Sequence, residues 1–281
     1  MAHRIANDPL PHLRRREGLL AGLKAAADDC LVLAEREMNP PSSDEGVHRI
    51  RQAFKRARAI LRLLEDAGVA SARSLRNDVT AAARKFSGLR DAAVMAKMAA
   101  RVAKKKTDDA GAVALELAAE EPGTPDAGWW SRRRREVTAL RRRLARLDGG
   151  GLSPHEIERS LEIAAKRACR GGKKSQRGRD IESAHAWRKK IILLREQISV
   201  ARPLLGDEAA ELHARLKRLA KRLGRAIDWR VFLDAVARHP NEIGDGKKQL
   251  LKSGRKKQKR DLKKARKRWP KVARRLRRDF L

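Results

Sequence analysis

The sequence contains few aromatic residues: they make up 3% of the chain, and tyrosine is absent. Proteins that bind single-stranded nucleic acids stack successive bases on exposed aromatic rings. The shortage therefore disfavours a base-stacking function. The adjacent pair Trp129-Trp130 lies beside an apolar helical pattern and is more typical of a core than of a stacking surface.

Cysteine is also rare, since only Cys30 and Cys169 occur, far apart and outside any C-x-x-C pattern. This indicates a reducing compartment and two thiols in the core rather than a disulfide or a metal pair. No apolar run approaches the length of a membrane-spanning helix, and the first 18 residues lack the apolar segment of a signal peptide. These absences predict a cytoplasmic protein.

Acidic residues are too few to balance the basic ones. The chain has 69 Lys and Arg against 35 Asp and Glu, a formal net charge of +34. Such an excess destabilises a compact state and implies a polyanionic partner, namely a nucleic acid, an anionic membrane surface or a phosphate polymer. The 281 residues, 41% of them hydrophobic, suffice for a real core. We expect one domain over residues 10–281, with halves at about 10–120 and 125–281.

No segment shows the alternation of a strand, so the predicted fold class is all-α. The segment 121–125, which contains two prolines and a glycine, is the predicted seam between the halves. Residues 171–183 are expected to form a basic loop, and residues 247–281 two short helices that meet at Trp269-Pro270. The other predicted helices cover 11–38, about 44–67, 71–87, 88–106, 129–147, 153–170, 184–202, 207–223 and 225–238.

The segment 47–66 has the clearest helical pattern, and its cations share one side of the helix. Its apolar residues occupy the opposite side. Like charges at i, i+3 and i+4 repel one another, so this cationic stripe is either fully solvated or bound to an anion. The stripe consists of His48, Arg51, Lys55, Arg58 and Arg62.

The stripe has a partial copy later in the chain. An offset of 137 residues takes His48 to His185 and Arg58 to Arg195 without a gap. The same offset takes Asp91 to Asp228, so that His and Asp are 43 residues apart in both halves. This predicts an internal duplication, with two pseudo-twofold-related helical bundles that face one site.

These motifs resemble those of the CHAD family, the conserved histidine α-helical domain. In the first half, the resemblance rests on VHRIR at 47–51, on Lys55-Arg56-x-Arg58 and on LRDAAV at 89–94. In the second half, it rests on HAWRKK at 185–190, Arg195, LGRAIDWRV at 223–231 and the closing RWPKVARRLRRDF at 268–280.

The resemblance implies two bundles around a basic central groove or pore that binds inorganic polyphosphate without catalysis. CHAD proteins are associated with polyphosphate granules in prokaryotes, and a granule location is therefore an expectation for this chain. The second half departs from the pattern, because Ile192, Leu193 and Ser199 stand where cations would be repeated. Nearby cations at Lys173, Lys174, Arg177 and Arg179 are candidates to compensate. The expected polyphosphate-binding residues are His48, Arg51, Lys55, Arg56, Arg58, Arg62, His185, Arg188, Lys189 and Arg195.

The charge alone would equally support a protein that binds or compacts nucleic acid. An enzyme that hydrolyses phosphoanhydrides would need clustered carboxylates for Mg²⁺, and the acidic pairs at 28–29 and 108–109 do not form such a cluster. GGKKS at 171–175 lacks the strand and the spacing of a phosphate-binding loop. We therefore expect no catalytic residue, no metal and no cofactor, and structural roles for Asp91 and Asp228.

Overall fold

The computed structural model describes residues 18–38, 43–103, 114, 125–206, 208–238 and 244–281. All regular structure in these residues is helical, which confirms the predicted all-α class. The described helices are α1 (Leu19–Glu37), α2 (Asp44–Asp66), α3 (Ser71–Arg84), α4 (Ser87–Ala103), α5 (Ala127–Ala145), α6 (Pro154–Gly178), α7 (Ile181–Leu205), α8 (Glu208–Arg238) and α9 (Gly244–Phe280).

The helices pack as two four-membered rings. In the first, α2 packs on α1 and α3, and α5 closes the ring against those two helices. In the second, α6, α7, α8 and α9 pack in sequence and α9 returns to α6. The outer helix α4 contacts α2 on one side and α8 on the other. The chain therefore forms two four-helix bundles with α4 between them.

Helix α2 is the most buried helix of the first bundle, and its sequence explains both its start and its orientation. Ser43 caps it by accepting a hydrogen bond from the Gly46 amide, and two acidic residues occupy the first turn, where the helix dipole favours negative charge. Every residue of the predicted apolar face is buried, which confirms that assignment. These residues are Ile50, Ala53, Phe54, Ala57, Ile60, Leu61 and Leu64.

The two bundles share one continuous hydrophobic core where α2 crosses α6 and α7. Two polar side chains that are buried at this crossing donate hydrogen bonds to backbone oxygens of α2. Ser160 Oγ donates to Leu63 O at 2.9 Å, and Gln197 Nε2 donates to Ala59 O at 3.3 Å. Because a buried polar group without a partner is costly, these bonds favour one position of α2 along its neighbours.

The prediction of a basic loop at 171–183 is wrong except at residues 179–180, because α6 continues to Gly178 and α7 begins at Ile181. Gly171 and Gly172 are buried inside this helix rather than exposed in a turn. A Cβ added at Gly172 would lie 2.4 Å from the Trp269 ring. Gly172 therefore allows α9 to approach α6 closely, a requirement that sequence alone does not distinguish from loop flexibility.

Two other predicted breaks are also absent. Residues 208–238 form a single helix rather than two, and α9 continues through Trp269-Pro270 instead of ending there. A proline inside a helix removes one backbone hydrogen bond, which side-chain packing offsets when the flanking residues are buried. Here Trp269 and Val272 are both buried in the core. The predicted seam at 121–124 and the predicted helical residues 11–17 and 104–106 lie outside the described residues.

Candidate functional site

The first four residues of the stripe lie along the side of α2 that faces away from the core. His48 is exposed, and its Nε2 is 3.3 Å from Gln52 Nε2 one turn later. Arg51, Lys55 and Arg58 are partly buried. Arg51 donates from Nη1 to Ser87 Oγ at 3.3 Å, which ties α2 to the first residue of α4.

Arg58 occupies a strongly positive environment. Burial lowers the pKa of its guanidinium, and Arg76, Arg84 and Arg51 lower it further. Its Nε is buried and makes no hydrogen bond. Arg51 and Arg58 belong to α2, and Arg76 and Arg84 belong to α3. The other three arginines all repel the charge of Arg58. A bound anion would relieve the repulsion among these arginines.

Arg62 belongs to a different cluster, in which arginines are paired with two acids. Its Nε donates to Asp66 at 3.0 Å, and its Nη1 is 3.3 Å from Glu65. Arg73 and Arg76 also bind Glu65 at 2.9 and 2.7 Å. The acids at the C-terminal end of α2 thus neutralise the last cation of the stripe, which the spacing alone did not reveal.

Arg56 and Arg195 are brought together by one buried acid, Glu196 of α7. Arg56 binds one oxygen of Glu196 at 3.3 Å, and Arg195 binds the other. Burial by itself would raise the pKa of Glu196, but Arg195 and Arg56 outweigh it and hold the pKa below its ordinary value. These two predicted ligands therefore join the bundles, and their charge is partly compensated.

The second stripe lies on the N-terminal half of α7. Arg188 lies across α8, where its Nε donates to Ala220 O at 3.4 Å. A Cβ added at Gly224 would lie 3.2 Å from the Arg188 guanidinium. Lys189 is exposed. Burial lowers the pKa of His185, and Lys189 and Arg188 lower it further, against the opposing charge of Asp91.

Both histidine-headed segments reach the same end of α4. Arg51 binds Ser87 at the start of this helix, and Asp91 one turn later is close enough to His185 to influence its charge. The folded chain therefore brings both stripes near the first turns of α4, although they are 137 residues apart in sequence. Asp91 is exposed, and its structural role stays a prediction.

Helices α3 and α8 contribute residues that the stripe motifs did not indicate. In the first bundle, Arg76 of α3 lies near Arg58. In the second bundle, His213 of α8 lies near Arg195. Burial and Arg195 lower the pKa of His213. The offset of 137 relates Arg76 to His213, just as it relates Arg58 to Arg195. This correspondence could have been found in the sequence. Lys173, predicted to compensate the second stripe, is instead close to Arg277 of α9.

Two absences hold for the part of the chain that the structure describes. No three His, Cys, Asp or Glu residues there are grouped so as to hold a metal ion. None of the described helices has the length and apolar character needed to cross a membrane.

Comparison with known proteins identifies a family. The model of the CHAD domain matches residues 21–237 and, in a second overlapping match, residues 161–279. Comparison with curated proteins gave no significant match, and comparison with solved structures gave none either. The family matches cover the described helices of both bundles from α1 to α9. The chain belongs to the CHAD domain family.

Proposed function

We propose that this protein binds inorganic polyphosphate non-enzymatically, through the cations that α2, α3 and α7 hold around the N-terminal end of α4. The observation that carries the proposal is the environment of Arg58, where four arginines meet and a buried guanidinium nitrogen has no hydrogen-bond partner. CHAD family membership is consistent with polyphosphate binding in general.

Polyphosphate suits this surface for a simple chemical reason. Each phosphate unit carries charge and acceptor oxygens, and the polymer has no base or sugar that would need a specific pocket. Arginine donates two parallel hydrogen bonds to a phosphate, whereas lysine acts as a point charge. A flexible chain can follow His48, Arg51, Lys55 and Arg58 along α2 and release its counterions with each contact.

A nucleic-acid function remains the second candidate, because exposed cations recur on every turn of α9 from Lys248 to Arg278. This surface would attract a phosphodiester backbone. The tryptophans do not support base stacking, since Trp130, Trp187 and Trp269 are buried and the other two are partly buried. Each of the five rings packs on another aromatic ring. The nucleic-acid candidate thus rests on charge alone.

The deciding experiment is a competition titration near physiological salt. Labelled long-chain polyphosphate is displaced from the protein by unlabelled polyphosphate, duplex DNA or RNA, with all concentrations expressed per phosphate. We expect DNA and RNA to need at least a hundredfold higher concentration than polyphosphate. Equal displacement by all three polymers would reduce the site to a general polyanion surface and overturn the proposal.

A further inference from the structure

A second cationic site lies on the far side of the second bundle, between α6 and α9. It is a pocket of about 490 Å³ lined by Lys166, Cys169, Arg170, Lys173, Arg277 and Leu281. None of these residues belongs to the stripes on α2 and α7. The volume is within the range of small-molecule pockets, roughly 300 to 1,000 Å³.

The packing of α6 against α9 explains why cations from both helices meet here. Cys169 lies near Arg277, Gly172 packs under Trp269, and Asp180 lies near Arg266. Residue numbers thus rise along α6 as they fall along α9, so the helices are antiparallel. On α6, residues 166, 170 and 173 follow helical spacing and therefore share one side of the helix.

The acids around this pocket are engaged elsewhere. Arg275 and Arg278 bind Asp279 and Glu208 on the opposite side of α9. Arg167 of α6 binds Asp66 of the first bundle. No carboxylate side chain lines the pocket itself.

The lining cations are therefore largely uncompensated. Lys166 is paired with Glu162 one turn earlier. Among the described residues, Arg170, Lys173 and Arg277 have no ion pair with a carboxylate. Three positive charges from two helices thus surround one concave surface, with the thiol of Cys169 in its wall. The cations come from both α6 and α9, which distinguishes this pocket from a cationic face on a single helix.

We propose that this pocket binds a compact triphosphate group, supplied either by inorganic tripolyphosphate or by a nucleoside 5′-triphosphate. A triphosphate carries three to four negative charges at neutral pH, which matches the three uncompensated cations. Arginines at 170 and 277 supply forked donors, and Lys173 supplies a point charge. A pocket of this volume suits a compact ligand. This site is separate from the proposed polyphosphate surface and does not depend on it.

Cys169 provides a readout that reports on this pocket alone. The protein has only two cysteines: Cys169 is 8% exposed in the pocket wall, where burial raises its pKa, and Cys30 is 1% exposed in the core of the first bundle. In a Cys30→Ala background, a small thiol reagent modifies Cys169 only. The experiment measures its modification rate at increasing concentrations of inorganic tripolyphosphate or of ATP, at near-physiological salt. We expect saturating ligand to slow modification at least fivefold.

Charge-matched variants make the experiment specific. The triple variant Arg170→Gln, Lys173→Gln, Arg277→Gln removes the three unpaired cations. We expect the ligand concentration that half-protects Cys169 to rise at least tenfold in it. The control Arg159→Gln, Lys264→Gln, Lys267→Gln removes three exposed cations from the same helices, and its half-protection should change less than threefold. Equal changes in the two variants, or absence of protection in the parent, would overturn the proposal.

The two ligands distinguish the source of the triphosphate. Stronger protection by ATP would assign the site to a nucleoside triphosphate, and equal or stronger protection by tripolyphosphate would assign it to condensed phosphate. Arg51→Gln, Lys55→Gln should leave the protection of Cys169 unchanged, because both residues lie on α2 in the other bundle. Failure of long-chain polyphosphate binding would therefore not remove this signal.

Discussion

Arg56 of α2 and Glu196 of α7 form an ion pair of 3.3 Å at the contact between the two bundles. Their side chains are 15% and 5% exposed. Arg195 of α7 binds the second oxygen of the same carboxylate. One buried acid therefore holds an arginine from each bundle and compensates part of their charge.

We expect Glu196→Gln to destabilise the protein by about 3 kcal/mol, because it leaves two arginines against a neutral amide in a mostly buried place. Urea denaturation followed by circular dichroism measures this loss. Glu158→Gln, on an exposed position of α6, is the control and should change stability by less than about 0.5 kcal/mol. A loss no larger than that of the control would show that this ion pair does not stabilise the junction.

The double variant Arg51→Gln, Lys55→Gln should weaken long-chain polyphosphate binding at least tenfold at 150 mM salt. Loss of two phosphate contacts should also make the dependence of log affinity on log salt shallower by roughly one to two units. The control is Arg135→Gln, Arg142→Gln on α5, which packs on α1 and α3 and is diagonal to α2 in the ring. Similar losses in both variants would mean that only total charge matters.

Arg58→Met should stabilise the free protein and weaken polyphosphate binding. Methionine retains the buried length of the side chain but removes a charge that Arg76, Arg84 and Arg51 repel. Replacement of an uncompensated, partly buried cation by an apolar residue should gain about 1 kcal/mol at low salt. Thermal unfolding with and without polyphosphate measures both effects, and the ligand should raise Tm less in the variant. A lower Tm in the free variant would contradict this account.

Arg62→Gln should affect stability more than binding, unlike the other stripe variants. The Arg62 guanidinium is bound to Glu65 and Asp66, so little of its charge is available to an external anion. We expect a stability loss of about 1 kcal/mol, since the ion pairs are partly shielded from water. Polyphosphate affinity should fall less than twofold in the competition titration. A tenfold loss of affinity would place Arg62 among the ligands.

His185 should make binding dependent on pH. Burial, Lys189 and Arg188 lower its pKa in the free protein, so the ring is neutral at pH 7. A bound polyanion favours the charged ring and raises this pKa, so that binding takes up a proton and strengthens as pH falls from 7 towards 5.5. Calorimetry at pH 6 in two buffers of different ionisation enthalpy measures the uptake. His185→Gln should remove it, whereas His155→Gln, on the exposed first turn of α6, should not.

Periodicity was sufficient for the main features of the fold. The apolar face of α2 is buried as predicted, because burial of one helical side follows directly from the spacing of the residues. The cap at Ser43, the absence of strand patterns and the helical C-terminal segment follow from equally local chemistry. The family resemblance also depended only on local motifs, and it is confirmed by the family match.

Two of the predicted helix breaks that were wrong share one physical cause. Gly172 and Pro270 are residues that locally favour a break, yet both lie inside helices that pack on their neighbours. Gly172 is needed because the Trp269 ring occupies the space of its Cβ. The contact between Gly172 and Trp269, nearly a hundred positions apart, decided these boundaries. A short stretch of sequence around either residue does not contain that information.

The sequence by itself determined the charge, the helical class and the spacing of the cations along each helix, because these depend on residue type and on a fixed helical repeat. Only the tertiary structure decided which cations keep their charge available. Arg58 is placed among Arg51, Arg76 and Arg84, whereas Arg62 is placed beside two acids and Arg56 beside Glu196. The electrostatic environment of a side chain depends on distances between helices, and these distances exist only after the helices have packed.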